Sequence, residues 1–230
     1  MHVDPARVAE LSEPWWSPVW ERHKVKYAVT APSVPADERD LRRELVFCLL
    51  GGHGVTYELG RSATRVVMAL DPFHDLWSHD QLRQRLEHEL RKPQFEPACA
   101  DGAWRRYRFP ARKARLVSDA VVWVRDRGGL RSGLAAQQSE DERRQWLCDC
   151  PGVGLKTASW LLRNCGWAER LAILDVHVLR ALAEAGVSEK RPSSARDYLE
   201  IERAYLQWAE QLDASPAELD LFLWDVQRAR

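Results

Sequence analysis

A lysine amine attacks an electrophilic carbon only while it is at least partly unprotonated, and Lys156 lies where a chain can arrange that. It follows a PGVG turn (residues 151–154) and opens the segment LKTASWLLRNCG. Desolvation and the positive end of a helix dipole both disfavour the ammonium form there, and the product of such an attack is a Schiff base. Nineteen residues on, Asp175 stands directly before VHVLRALAEAG, where an Asp commonly caps a helix. A carboxylate oriented by capping stays ionised, ready to stabilise positive charge or to help move protons. Within the turn, Gly152, Val153 and Gly154 are expected to leave backbone N–H groups bare at the helix start. Such a site favours a phosphate and reads no base. Each feature has an ordinary alternative: a surface lysine, a plain N-cap, a simple glycine turn.

Taken together, CDCPGVGLKTASWLLRNCG and the following ILDVHVLRAL resemble the helix-hairpin-helix DNA glycosylase superfamily, most of all its archaeal and bacterial 8-oxoguanine DNA glycosylase/AP lyases. Weaker similarity runs through RELVFCLL, YRFPARKARLV and LDLFLW, covering most of the chain from about residue 40 onward. The resemblance implies an all-α, two-lobed fold with the helix-hairpin-helix at the interlobe cleft. It implies Lys156 as the nucleophile at the sugar C1′ carbon, Asp175 as its carboxylate partner, and His177 as a phosphate contact. The implied substrate is double-stranded DNA containing a damaged base, 8-oxoguanine being the expected one. Two other readings stay open: a monofunctional glycosylase for a different base, and a non-enzymatic helix-hairpin-helix module that only binds DNA.

An extruded base needs aromatic or apolar faces. Trp160, one helical turn after Lys156, is the first candidate, and Trp224, Phe222 and Asp220 in LDLFLWDVQ are the others. With eleven tryptophans in the chain, a core role competes at each. Two segments depart from the family pattern. GGHGVTYE replaces the polar stretch that fills the gap left in DNA, with His53 as a candidate filler, and WDVQRAR replaces a longer tail that helps recognise oxidised guanine.

Apolar residues recur at helical spacing from ADERDLRRELVFCLL to SPAELDLFLWDVQRAR, while strand-like alternation is scarce. Ser139 with Glu142 forms a capping-box pattern, and Ser215 with Pro216 an N-cap followed by a first-turn proline. Residues 1–50 plus 170–230 are expected to form a terminal helical lobe, and 51–169 a central lobe carrying the hairpin. TAPSVPAD is a candidate surface connection.

A hydrophobic content of 45% over 230 residues is enough for a substantial core. The 34 basic and 34 acidic residues cancel, so any attraction to a polyanion must come from charge distribution. WRRYRFPARKAR supplies it: Arg105, Arg106, Arg112 and Lys113, with Arg108 and Arg115, lie in a stretch free of acids, though a solvated helix face looks the same. Five cysteines without a paired framework read as reduced thiols, and no secretion signal or membrane span is legible. The expectation is a cytoplasmic, nucleoid-associated monomer. No cluster of four cysteines follows the hairpin, so no iron–sulfur cluster is expected. Cys148 and Cys150 with His177 are poor evidence for a metal site, and no catalytic metal is expected. The superfamily resemblance adds a monovalent cation between hairpin carbonyls and a DNA phosphate.

Overall fold

The computed structural model describes residues 20–21, 35–52 and 54–228, with the side chains of residues 227 and 228 left aside. His53 lies outside the described residues. The named elements are all helices: α1 (Glu38–Leu50), α2 (Tyr57–Met68), α3 (His79–Arg91), α4 (Pro110–Asp126), α5 (Leu130–Ala135), α6 (Glu140–Cys148), α7 (Leu155–Asn164), α8 (Val176–Glu184), α9 (Ala195–Gln211) and α10 (Pro216–Arg228). The only β-pairing among the described residues is an isolated bridge between Phe95 and Arg105. The expected all-α class holds.

Two compact units divide the chain, one of residues 36–165 and one of residues 1–35 with 166–230. Helix α1 therefore belongs to the central unit, whereas the sequence reading grouped it with the termini. The physical reason is burial: Leu41, Leu45, Val46, Phe47, Leu49 and Leu50 fill the core beneath α2, α4 and α7. The two ends of this unit meet where the Ala36 N–H donates to the Cys165 carbonyl at 2.9 Å.

Helix boundaries in the central unit follow side-chain chemistry. Asp37, Thr56, Ser78 and Ser139 each accept an N–H of the helix they open, and Ser78 with Gln81 and Ser139 with Glu142 close capping boxes. Glu38 joins two helix starts: its carboxylate accepts from the Leu130 and Arg131 amides of α5, at 3.0 and 2.7 Å, while pairing with Arg42. In the terminal unit α10 packs on α8 and α9, and the hydroxyl of Tyr205 donates to the Pro216 carbonyl at 2.8 Å. All five cysteines are free thiols. No helix among the described residues is long and apolar enough to cross a membrane.

Candidate active site

In the central unit, α6 ends at Cys148 and the chain turns back into α7 within six residues, 149–154. The turn closes with Cys150 N–H on Leu147 O and Val153 N–H on Cys150 O, both at 3.0 Å. The two hairpin glycines do different work. Gly152 has φ +82°, and a Cβ there would meet Leu116 and Leu49 side chains at 3.0 and 3.1 Å. Gly154 has φ −109°, and a Cβ on it would meet nothing within 4 Å. Position 154 therefore does not need a glycine on steric grounds, whereas position 152 does. Gly154 is the N-cap of α7, gives no side-chain cap, and leaves first-turn amides open to an approaching group. Val153 is buried, so only its backbone can serve a ligand.

Lys156 is the second residue of α7 and is half-buried. Its Nζ stands 5.9 Å from the Trp160 ring centroid, as the four-residue spacing predicts. Trp160 meets Phe47 of α1 edge to face at 5.5 Å, and Phe47 meets Tyr57 of α2 in the same way. Polar contacts to α6 and α1 help to fasten helix α7. Buried Arg144 of α6 reaches Ser159 at 3.5 Å and Asp141 at 2.6 Å, and Asn164 donates to Glu44 of α1 at 2.7 Å. Burial pushes the Glu44 carboxyl up, against the pull of Asn164 and Arg43. Burial also drives the Cys48 thiol well above its usual value, next to the Glu44 charge, while the Lys156 charge pulls the other way. Cys150 is pushed to about 12 by burial, with the Arg127 charge pulling the other way.

In the terminal unit, Asp175 caps α8. Its Oδ1 accepts from the His177 and Val178 amides at 2.8 and 2.9 Å, the N-cap that the sequence predicts. His177 is half-buried, and its ring Nδ1 is buried without a hydrogen-bond partner. Of the base-pocket candidates on α10, Trp224 and Asp220 are half-buried, but Phe222 is 0% exposed and meets Trp20 edge to face at 5.2 Å. Phe222 is core, because its face of α10 is the one that packs inward.

The basic segment also divides. Arg106, Arg108, Arg112 and Arg115 are exposed. Arg105 is half-buried, its backbone pairing with Phe95 in both directions at 3.2 Å. Lys113 is not a free phosphate contact: its Nζ donates to the Leu49 and Gly51 carbonyls, the latter at 2.7 Å, closing the C-terminal end of α1. Burial, with Arg112 nearby, lowers its pKa. Tyr107 donates to the intervening Leu50 carbonyl, and Arg108 covers Gly54, where a Cβ would collide with its guanidinium. Sequence reasoning missed this bracing of GGHGVTYE. No sequence pattern marks it, because Tyr107, Arg108 and Lys113 meet the end of α1 and the loop after it from more than fifty positions away.

The sequence profile of the 8-oxoguanine DNA glycosylases with a helix-hairpin-helix matches residues 30–214. The chain belongs to this family. Among relatives, an 8-oxoguanine DNA glycosylase/AP lyase of Metallosphaera sedula is 36% identical over 125 residues, 54% of this chain and 60% of that protein. The chain thus spans about 60% of that relative's length. The namesake from Korarchaeum cryptofilum is 28% identical over 197 residues, 84% of this chain and 82% of its own. Family members of known structure share the fold: the 8-oxoguanine DNA glycosylase of Methanocaldococcus jannaschii superposes with a TM-score of 0.65 at 24% identity, covering 98% of this chain and 94% of that one. That of Thermotoga maritima gives 0.63 at 26% identity, with coverages of 92% and 89%. The Methanocaldococcus jannaschii enzyme has also been crystallised with a 15mer DNA containing 8-oxoguanine.

Proposed function

We propose that this chain removes 8-oxoguanine from duplex DNA and then nicks the strand, with Lys156 as nucleophile and Asp175 as its carboxylate partner. The observation that carries the reading is Lys156 in the first turn of α7, directly after a hairpin whose N-cap offers backbone amides and no side-chain cap. The names of the family relatives agree with it. A DNA phosphate would take the amides at Gly152 and Gly154 and in the first turn of α7, because the Val153 N–H already donates to the Cys150 carbonyl, and the helix dipole would position the strand without reading its sequence. His177, Arg106 and Arg112 are the further phosphate contacts in this reading. Trp160 offers the extruded base an aromatic face beside the amine, and half-buried Trp224 and Asp220 are the candidates of the terminal unit for contact with the base.

In this scheme the neutral Lys156 amine supplies the electron pair of a new N–C1′ bond. The C1′–base bond breaks, its electron pair leaves with the base, and the base takes up a proton. The amine then sheds a proton. Its nitrogen lone pair next forms a C1′=N double bond as the C1′–O4′ bond opens, and O4′ gains a proton. Loss of a C2′ proton lastly expels the 3′ phosphate, which nicks the strand. Asp175, oriented by two amides, stabilises the positive charge that develops as the base departs.

Borohydride trapping on an 8-oxoguanine duplex tests this. The protein should yield a covalent adduct, and Lys156→Gln should yield none. A wild-type protein that releases the base without trapping, or a Lys156→Gln variant that still traps, defeats the assignment.

A further inference from the structure

We infer that Tyr198 and Glu202 of α9 are positioning residues for Asp175; the inference rests on the proposed role of that carboxylate. Residues 171–175 belong to no helix, yet Leu171, Ala172 and Leu174 are buried, so their backbone groups need partners from elsewhere. Helix α9 supplies them. The Glu202 carboxylate, 4% exposed, accepts the Ala172 N–H at 2.9 Å. The Tyr198 hydroxyl, on a residue 5% exposed, donates to the Ala172 carbonyl at 2.7 Å and accepts the Leu174 N–H at 3.4 Å. Four residues apart, the two side chains lie on one face of α9, in line with Ile201 and Tyr205.

A carboxylate on a core face is costly unless hydrogen-bonded, and the Ala172 N–H helps to offset that cost while Glu202 holds the backbone. The pinned segment leads straight to the reactive group. The Asp175 N–H closes a tight turn on the Ile173 carbonyl at 2.7 Å, and its Oδ1 is taken by the first amides of α8. Asp175 is thereby fixed on its upstream side by α9 and on its downstream side by α8. Both amide bonds use Oδ1, so the orientation of Oδ2 follows from where the 171–175 backbone is held. Catalytic groups misplaced by a fraction of an ångström lose rate while binding persists.

The test is single-turnover base release from an 8-oxoguanine duplex, with Kd measured alongside. Tyr198→Phe and Glu202→Leu should each lower the rate about tenfold, the loss of one buried hydrogen-bonding group, and leave Kd unchanged. Glu202→Gln keeps an oxygen to accept the Ala172 N–H and should restore the rate. In an Asp175→Asn background Tyr198→Phe should add no further loss. Should Glu202→Leu fail to fold, Tyr198→Phe, which removes a single oxygen, carries the test. A normal rate in Tyr198→Phe while Asp175→Asn is slow overturns the positioning role alone, as does a full further loss in the double variant. A normal rate in Asp175→Asn overturns the reading of Asp175 and this inference with it.

Discussion

The helix that carries Lys156 is fastened to elements that precede it in the chain, whereas the segment that carries Asp175 is fastened to one that follows it. Helix α7 leans on α6 through Arg144 and on α1 through Phe47 and Glu44. Its lysine side chain is long and meets a tryptophan ring at 5.9 Å. Asp175 has a short side chain gripped by two amides at the mouth of α8, on a backbone tied to α9. The contrast suits the proposed roles. A nucleophile has to travel to form a bond, so a rigid helix with a flexible arm serves it, whereas a group that stabilises charge works best when it does not reorganise.

The largest effect that would break this comparison is at Asp175. Asn also caps helices, so Asp175→Asn should keep the melting temperature while losing roughly a hundredfold or more in single-turnover rate, about 3 kcal/mol of barrier. Asp175→Ala should lose the rate and also about 1 kcal/mol of stability with the cap. Equal rates for wild type and Asn would show that the carboxylate is only a cap.

Next come the hairpin glycines. Gly152→Ala places a Cβ at a left-handed φ and against two leucines, which should cost about 1–3 kcal/mol in a urea melt. Gly154→Ala has room, so it should leave the melt unchanged and weaken binding to duplex DNA. Matched effects at the two sites would erase the division of labour between them.

Lys113 and Arg112 are adjacent yet should separate by assay. Lys113→Met strands two carbonyls at the end of α1 and should cost about 1–3 kcal/mol of stability. Arg112→Ala should leave the melt alone and reduce the salt slope of DNA binding by about one. A reversed pattern would return Lys113 to the DNA surface.

The smallest expected effect concerns the anchor of α7. Burial raises the Glu44 carboxyl, so its protonated form is the one that the folded state favours. Its contribution is fully present below the ordinary glutamate value of 4.5 and is lost as pH rises through the folded pKa. Glu44→Gln, which can still accept from Asn164, should flatten that part of the stability profile in melts taken from pH 4 upward. An unaltered profile would mean that the group is not desolvated.

Much of the local architecture was legible in the residues because it is made locally. The caps at Ser139 and Asp175, the turn at PGVG and the Lys156–Trp160 spacing each depend on contacts within four residues. Lys113 and Phe222 were misread for the opposite reason. A lysine in a basic run looks solvent-facing until a distant helix end takes its amine, and an aromatic beside Trp224 looks available until its face of α10 proves to be the packed one. The assignment of α1 to a unit failed in the same way, since an apolar stripe says that a helix is buried and not against what.

The sequence by itself determined the helices, their caps and the hairpin that bears the lysine, because short-range hydrogen bonding and periodicity are written residue by residue. Only the tertiary structure decided which basic side chains stay free, which glycine is sterically required, and how α9 holds the backbone before Asp175. Those outcomes rest on contacts between residues from 24 positions apart, as for Leu174 and Tyr198, to 103, as for Leu49 and Gly152, for which one-dimensional spacing carries no signal.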